Sequence, residues 1–225
     1  MEKKTVIITG ASGELAQFVI AEFLDNNWHI IACSHRNSLP EVYTNHADIT
    51  HVVCDVTQED DVISLCSSHT YNAIVHLVGG IKAGTSLTET SVETLQDMLT
   101  LNTTSTFLIL REGMRYFMCN NGGSFITIAS QSAMEAQSHK SAYSAAKSAV
   151  ISLTKTAAEE GKNHNIRCNC IVPGIIRTQS NLSWAENGEE QYWTDPIDIA
   201  RTMVFLSSDA GKGINGAIIP LFGLL

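Results

Sequence analysis

Tyr143 and Lys147 stand four residues apart in Tyr143-Ser144-Ala145-Ala146-Lys147, a spacing that projects both side chains from one face of a helix. A phenol with an ordinary pKa of about 10 is a poor base at neutral pH. An ammonium beside it favours the phenolate and makes proton exchange with a carbonyl oxygen feasible. Thirteen residues before the tyrosine, Ser130 ends the stretch that begins Phe125-Ile126-Thr127-Ile128. Its hydroxyl then sits at the carboxyl edge of a strand, where it can donate a hydrogen bond to a developing oxyanion. Ser132 offers a competing hydroxyl, with turn formation as its ordinary use, and the thirteen-residue spacing favours Ser130. Near the N-terminus, Thr9-Gly10-Ala11-Ser12-Gly13-Glu14-Leu15-Ala16 has the small residues that let backbone N–H groups and a helix start approach a pyrophosphate. Taken singly, a Tyr-x-x-x-Lys pair is common on surface helices and a glycine turn is a common connection.

The elements that must position these groups follow from hydrophobic periodicity. Thr5–Thr9 is a continuous β-branched run ending at Gly10, and Leu15–Leu24 repeats apolar residues at helical spacing until Asp25-Asn26-Asn27 stops it. His29–Cys33, Val52–Cys54 and Ala73–Val78 are short apolar runs suited to strands covered on both faces. Val92–Met118 reads as one long helix, Phe125–Ile128 as a fifth strand, Ala142–Glu160 as a helix and Ile166–Val172 as a sixth strand. Ile197–Leu206 and Ala217–Leu221 add a last helix and a last strand. Strands alternating with helices predict an α/β fold, a Rossmann-type doubly wound parallel sheet of about seven strands with helices on both faces. At 225 residues the chain suits a single domain. Ligands of such sheets bind at the carboxyl ends of the strands where chain order reverses, which puts a cofactor at the first turn.

Composition narrows the partners. A formal charge of −9 and a pI near 5.3, with no compensating run of Lys and Arg, argue against nucleic acid. The apolar run after Met1-Glu2-Lys3-Lys4 is too short for a signal segment or a membrane span, so a cytoplasmic protein is expected, with no membrane partner. The six cysteines lack zinc-ligand pairs and read as free thiols in a reducing compartment. The eight histidines include no H-E-x-x-H arrangement, and no catalytic metal is expected.

A glycine turn, Asn102, Ser130, the Tyr143/Lys147 pair and the turn Pro173-Gly174 occur in an order that resembles the short-chain dehydrogenase/reductase family, from Thr5 to about Gly223. The resemblance implies an oxidoreductase that passes hydride between a nicotinamide dinucleotide and a small carbonyl/alcohol substrate. It implies that Tyr143 is the general acid/base, that Lys147 lowers its pKa and holds the nicotinamide ribose, that Ser130 orients the substrate oxygen, and that Asn102 holds a relay water. Gly10, Ser12, Glu14 and Leu15 would lie at the pyrophosphate, Asp55 and Val56 at the adenine, and Gly79 and Gly80 where the cofactor passes. Pro173-Gly174-Ile175-Ile176-Arg177-Thr178 resembles the loop beside the nicotinamide, with Pro173, Gly174, Ile176 and Thr178 in contact, and residues 179–194 correspond to a short substrate lid. The family likeness also implies a homodimer or homotetramer built on the Val92–Met118 and Ala142–Glu160 helices.

The chain departs from the family pattern at three places. The second and third glycines of Thr-Gly-x-x-x-Gly-x-Gly are Glu14 and Ala16. A carboxylate beside a pyrophosphate costs binding, so Glu14 is expected to face solvent, where the helix dipole favours an acid. The usual Asn-Asn-Ala-Gly is Leu77-Val78-Gly79-Gly80, and Ala73–Gly80 is also similar to the dihydropteridine reductase branch. Ser34 stands where the family usually has the acid that holds the ribose of NAD, with His35 and Arg36 following. A guanidinium there suits a 2′-phosphate, which favours NADP(H) over NAD(H). Two alternatives stay open: reduction of a pterin-type C=N bond, and a dinucleotide-binding regulatory protein with little turnover. Intact Ser130, Tyr143 and Lys147 argue against the second.

Overall fold

In the computed structural model, which describes residues 3–35 and 39–224, Val6 and Ile8 of β1 (Thr5–Thr9) bury into the core on one face of a sheet while Ile7 buries into the other. That alternation is the two-residue period of a strand. On the first face, β1 meets Val19, Ile20 and Phe23 of α1 (Glu14–Asp25) and Met203 and Leu206 of α8 (Pro196–Ser207). On the second, it meets Leu65 of α3 (Glu59–Ser67) and Ile109 and Phe117 of α5 (Ser105–Cys119). Each large apolar side chain fully buried in this way contributes roughly 1.5–3 kcal/mol.

The remaining strands are β2 (His29–Ser34), β3 (Ile49–Val53), β4 (Ala73–His76), β5 (Gly123–Ile128), β6 (Ile166–Pro173) and β7 (Ile218–Leu221). The short α2 (Glu41–Thr44) precedes β3, α4 (Val92–Met98) follows β4, α6 (Ser141–Gly161) joins β5 to β6, and α7 (Gln179–Leu182) follows β6. Strand order is β3-β2-β1-β4-β5-β6-β7 and every pairing is parallel. This is the doubly wound seven-strand sheet that the sequence predicts. Chain order reverses between β1 and β4, so their carboxyl ends open a crevice.

The structure adds the short helices α2 and α7 to the sequence reading and differs from it further at α3, β3, β4 and the helix after β4. The helix α3 carries Glu59, Asp60 and Asp61 in its first turn and buries only Val62, Leu65 and Cys66, too brief a stripe to stand out as periodic. β3 starts at Ile49 rather than Val52; it closes one edge of the sheet, where Thr50 and His51 are tolerated. β4 stops at His76, before Leu77-Val78-Gly79-Gly80 leaves the sheet. The helix expected over Val92–Met118 is interrupted by a π-helical turn, Leu99–Thr104, between α4 and α5.

The loss of the family's paired amides after β4 is met by another polar network. His76 is buried and bonds Thr9 Oγ1 of β1 (2.8 Å) and Ser105 Oγ of α5 (3.3 Å), tying the centre of the sheet to the helix layer. Burial pushes its pKa down to about 3, so it stays neutral at physiological pH. All six cysteines are free; Cys119 is exposed and the other five are buried. No helix among the described residues is long and apolar enough to cross a membrane.

Candidate active site

The carboxyl ends of β4, β5 and β6 and the start of α6 enclose a cavity of about 590 Å³ whose walls include Ser130, Tyr143, Lys147, Gly79 and Gly174. Tyr143 and Lys147 face it from consecutive turns of α6. Lys147 is buried and donates to the Ile128 carbonyl at 3.0 Å, which fixes its long side chain against the end of β5. Burial pulls its pKa down to about 8.

Burial pushes the pKa of the Tyr143 phenol up, opposed by the nearby Ser130 side chain. The phenol is therefore protonated at neutral pH, the state of an acid ready to give its proton to a carbonyl oxygen. Ser130, in extended conformation after β5, caps the turn Gln131–Ala133. Ser132 donates its own hydroxyl to Ser130 Oγ at 3.2 Å. Ser132 is buried behind Ser130 and does not line the cavity, so the competing hydroxyl of the sequence is the one that orients its neighbour.

Asn102 lies in the π turn, fully buried. Its Oδ1 accepts from Gly80 N (3.2 Å), and its Nδ2 donates to the carbonyls of Gly80 and Met98 (3.0 Å each). Its amide thus clamps the segment leaving β4, and the wider π turn places it there. The clamp needs glycine beside it: a β-carbon on Gly79 would lie 2.8 Å from both Asn102 Oδ1 and Lys147 Nζ.

At the first turn, Gly10 has φ +71°, open to glycine without strain, and accepts from Gly13 N at 2.9 Å. A β-carbon there would also crowd Val78 at 3.2 Å. Ser12 is exposed at the turn and Leu15 lines the cavity. Glu14 is exposed but not free: its carboxylate accepts from Ser180 N (3.0 Å) and Ser180 Oγ (3.1 Å). Those bonds, led by the Ser180 amide, hold it below the usual carboxylate range. It spans from the glycine turn to α7.

The other predicted cofactor residues divide between the cavity and the tips of β2 and β3. Gly80, Pro173 and Ile176 line the cavity, and Thr178 is buried with its hydroxyl 3.3 Å from Ser180 Oγ. Ser34 is buried and bonds His51 Nε2 at 2.8 Å. His35 Nε2 lies 3.6 Å from Asp55 Oδ2. Partial burial raises the Asp55 pKa, but bonds from Thr57 and the nearby His35 outweigh it and leave it lowered. Val56 is buried. Arg36 lies outside the described residues. Trp184 also lines the cavity, and so do Gln131, Gln137, Lys140 and Asn181, which carry no motif by which the sequence could single them out.

Comparison with known proteins then decides the family: residues 4–189 match the model of the short chain dehydrogenase family. The chain belongs to that family. It is 26% identical to the 7alpha-hydroxysteroid dehydrogenase of Bacteroides fragilis, over 99% of this chain and 94% of the relative. It is 27% identical to the 2,5-dichloro-2,5-cyclohexadiene-1,4-diol dehydrogenase of Sphingobium indicum, over 98% of this chain and 96% of the relative. Among solved structures it is similar to ElxO with NADP bound, with a TM-score of 0.91 at 24% identity, covering 99% and 98% of the two chains. A short-chain type dehydrogenase/reductase from Mycobacterium ulcerans gives a TM-score of 0.91 at 25% identity, covering 100% and 90%.

The residues present fit the dinucleotide that short-chain dehydrogenases use. The cavity runs from Leu15 at the helix start to Lys147, is walled by Gly79, Gly80 and Gly174, and has no carboxylate in its lining. Glu14, the one acid at the turn, is held by Ser180.

Proposed function

We propose that this short-chain dehydrogenase is an NADP(H)-dependent oxidoreductase that interconverts a small carbonyl compound and its alcohol, with Tyr143 as general acid/base. The observation that carries the reading is that Ser130, the Tyr143 phenol and the buried Lys147 line one cavity at the carboxyl ends of the strands. A bound nicotinamide supplies the hydride for reduction or accepts it in oxidation. Tyr143 gives its proton to the carbonyl oxygen, and the Lys147 ammonium stabilises the phenolate left behind. Ser130, oriented by Ser132, donates to the same oxygen as charge builds on it. Asn102 holds the Gly79-Gly80 segment open at the cofactor groove. The preference for NADP(H) draws support from β2, which ends on Ser34 and is followed by His35, without a carboxylate for the ribose of NAD.

We assign residues 179–194 as a short lid on this single domain. Trp184 lines the cavity, and its ring packs 5.0 Å from that of the buried Trp193. We also propose a homo-oligomer through α5 and α6, where Phe107 and Met118 are exposed beside Leu110, Met114 and Leu153 in a shallow apolar depression. Free thiols suit a reducing cytoplasm as the site of action.

The test is Tyr143→Phe with NADPH oxidation against a panel of ketones and aldehydes, alongside thermal-shift titrations with NADPH and NADH. We expect turnover to fall by about 10²–10⁴-fold while NADPH binding survives, with NADPH the tighter of the two cofactors. Turnover that withstands loss of the phenol overturns the assignment of Tyr143. Equal stabilisation by both cofactors overturns the preference.

A further inference from the structure

Of the lysines without a carboxylate partner among the described residues, Lys140 and Lys147 line the catalytic cavity. Lys3, Lys4, Lys82 and Lys162 each form an ion pair with an Asp or Glu. Among the described residues Lys140 has no such pair, in a chain with 23 carboxylates and only 14 Lys and Arg. Its Nζ donates instead to a neutral amide, Gln137 Oε1, at 2.8 Å.

Both residues are half-buried in the wall of the catalytic cavity. The acid nearest in sequence, Glu135, accepts from Gln131 Nε2 at 2.9 Å and is not part of that wall. Among the described residues the cavity wall therefore holds two lysines and no carboxylate. Lys147 is committed to the Ile128 carbonyl and the phenol's chemistry. Lys140, three residues before Tyr143 at the start of the 21-residue α6, presents a positive charge to the substrate's side of the cavity, reinforced by the helix dipole. The Gln137 side-chain nitrogen, not engaged by Lys140, adds a neutral donor of the same sense. Trp184 and Ile81 complete the wall with apolar surface.

We infer that Lys140 and Gln137 form a carboxylate-binding edge, and that the physiological substrate is a carbonyl compound, or its alcohol, that carries a carboxylate. This rests on the oxidoreductase reading above. The carbonyl takes up hydride from the nicotinamide and a proton from Tyr143, becoming the alcohol, while the carboxylate passes through unchanged. Its role is to orient the carbonyl towards Tyr143 through a charge-assisted hydrogen bond. A half-buried ammonium is still partly screened by salt, so the preference should weaken at high ionic strength.

The experiment uses two probes of one skeleton, 4-acetylbenzoate and 4-acetylbenzamide, with wild-type protein, Lys140→Gln and Lys140→Glu. Two readouts run in parallel: NADPH oxidation, and probe binding to the NADP-loaded protein by tryptophan fluorescence. The wild type should favour the carboxylate over the amide by about tenfold, a difference of about 1.4 kcal/mol. The effect should lie in KM. In Lys140→Gln the ratio should fall to about one, and in Lys140→Glu it should invert. A carboxylate-to-amide ratio that is the same in all three proteins, in both readouts, overturns the inference. If no form turns over a probe but the binding ratio still depends on Lys140, the carboxylate-binding edge stands and the oxidoreductase reading fails, taking the carbonyl substrate with it.

Discussion

The two ends of the cofactor groove are built differently. At the end that holds Ser130, Tyr143 and Lys147, Lys147 is buried against the Ile128 carbonyl, and Ser132 donates to Ser130 Oγ beside the Tyr143 phenol. At the glycine turn, Ser12 and Glu14 are exposed, and Glu14 reaches across to Ser180 at the start of α7. The first region sets proton affinities through burial, because a low-dielectric surrounding penalises charge. The second is set by hydrogen bonds in water, where each bond counts for little and can be exchanged. Chemistry should therefore be sensitive to small changes at the first end, and substrate or cofactor affinity mildly sensitive at the second.

The largest expected break in that contrast comes from Lys147→Met, which removes the charge that stabilises the Tyr143 phenolate. Carbonyl reduction should drop by about 10²-fold or more. In the wild type, reduction should hold below pH 8 and decline above it, as Lys147, with its pKa pulled down to about 8, sheds its proton. A pH–rate profile of the methionine variant that keeps this alkaline limb would assign it to another group.

A smaller effect is expected from Ser132→Ala. Ser130 would lose the donor that fixes its hydroxyl, and kcat should fall by about tenfold, about 1.4 kcal/mol of barrier, with KM changed little. Ser132→Thr, which restores a hydroxyl, should recover part of the loss. An equal fall in melting temperature and activity with no recovery in the threonine variant would reduce Ser132 to a packing role.

Glu14→Gln should have the smallest effect. The amide keeps an acceptor for Ser180 but loses the charge, so KM for substrate should rise by about two- to threefold, consistent with a bond at the surface, while kcat stays level. The carboxylate pKa is lowered by the Ser180 bonds, so the link to α7 is present at neutral pH and lost as pH falls through the lowered carboxylate range. A fall in kcat larger than that of Ser132→Ala would reverse the contrast between the two ends.

Much of the cavity wall that holds Ser130, Tyr143 and Lys147 was legible beforehand because its parts are local. Tyr143 and Lys147 share a helix, Ser130 closes a strand, and helix and strand each announce themselves by their own period. The same logic failed where a period was short or unbroken by breakers. The three buried residues of α3 fell below notice, and the apolar pattern ran through the π turn at Leu99–Thr104 as though it were a regular helix. Glu14 shows a different failure: its bond to Ser180 joins residues 166 apart in sequence. The sign of the Tyr143 shift depends on burial that no motif encodes.

From the amino-acid order alone came the alternating strands and helices, the parallel sheet, the glycine turn and the Ser130, Tyr143 and Lys147 set, since propensity, periodicity and spacing act over a few residues. Only the tertiary structure decided that the phenol is shielded and protonated, that Ser132 stands behind Ser130, that Glu14 grips α7, and that Lys140 faces the cavity beside an amide instead of an acid. Those outcomes depend on which distant segments exclude water from one another, and that is settled when the sheet and its two helix layers close together.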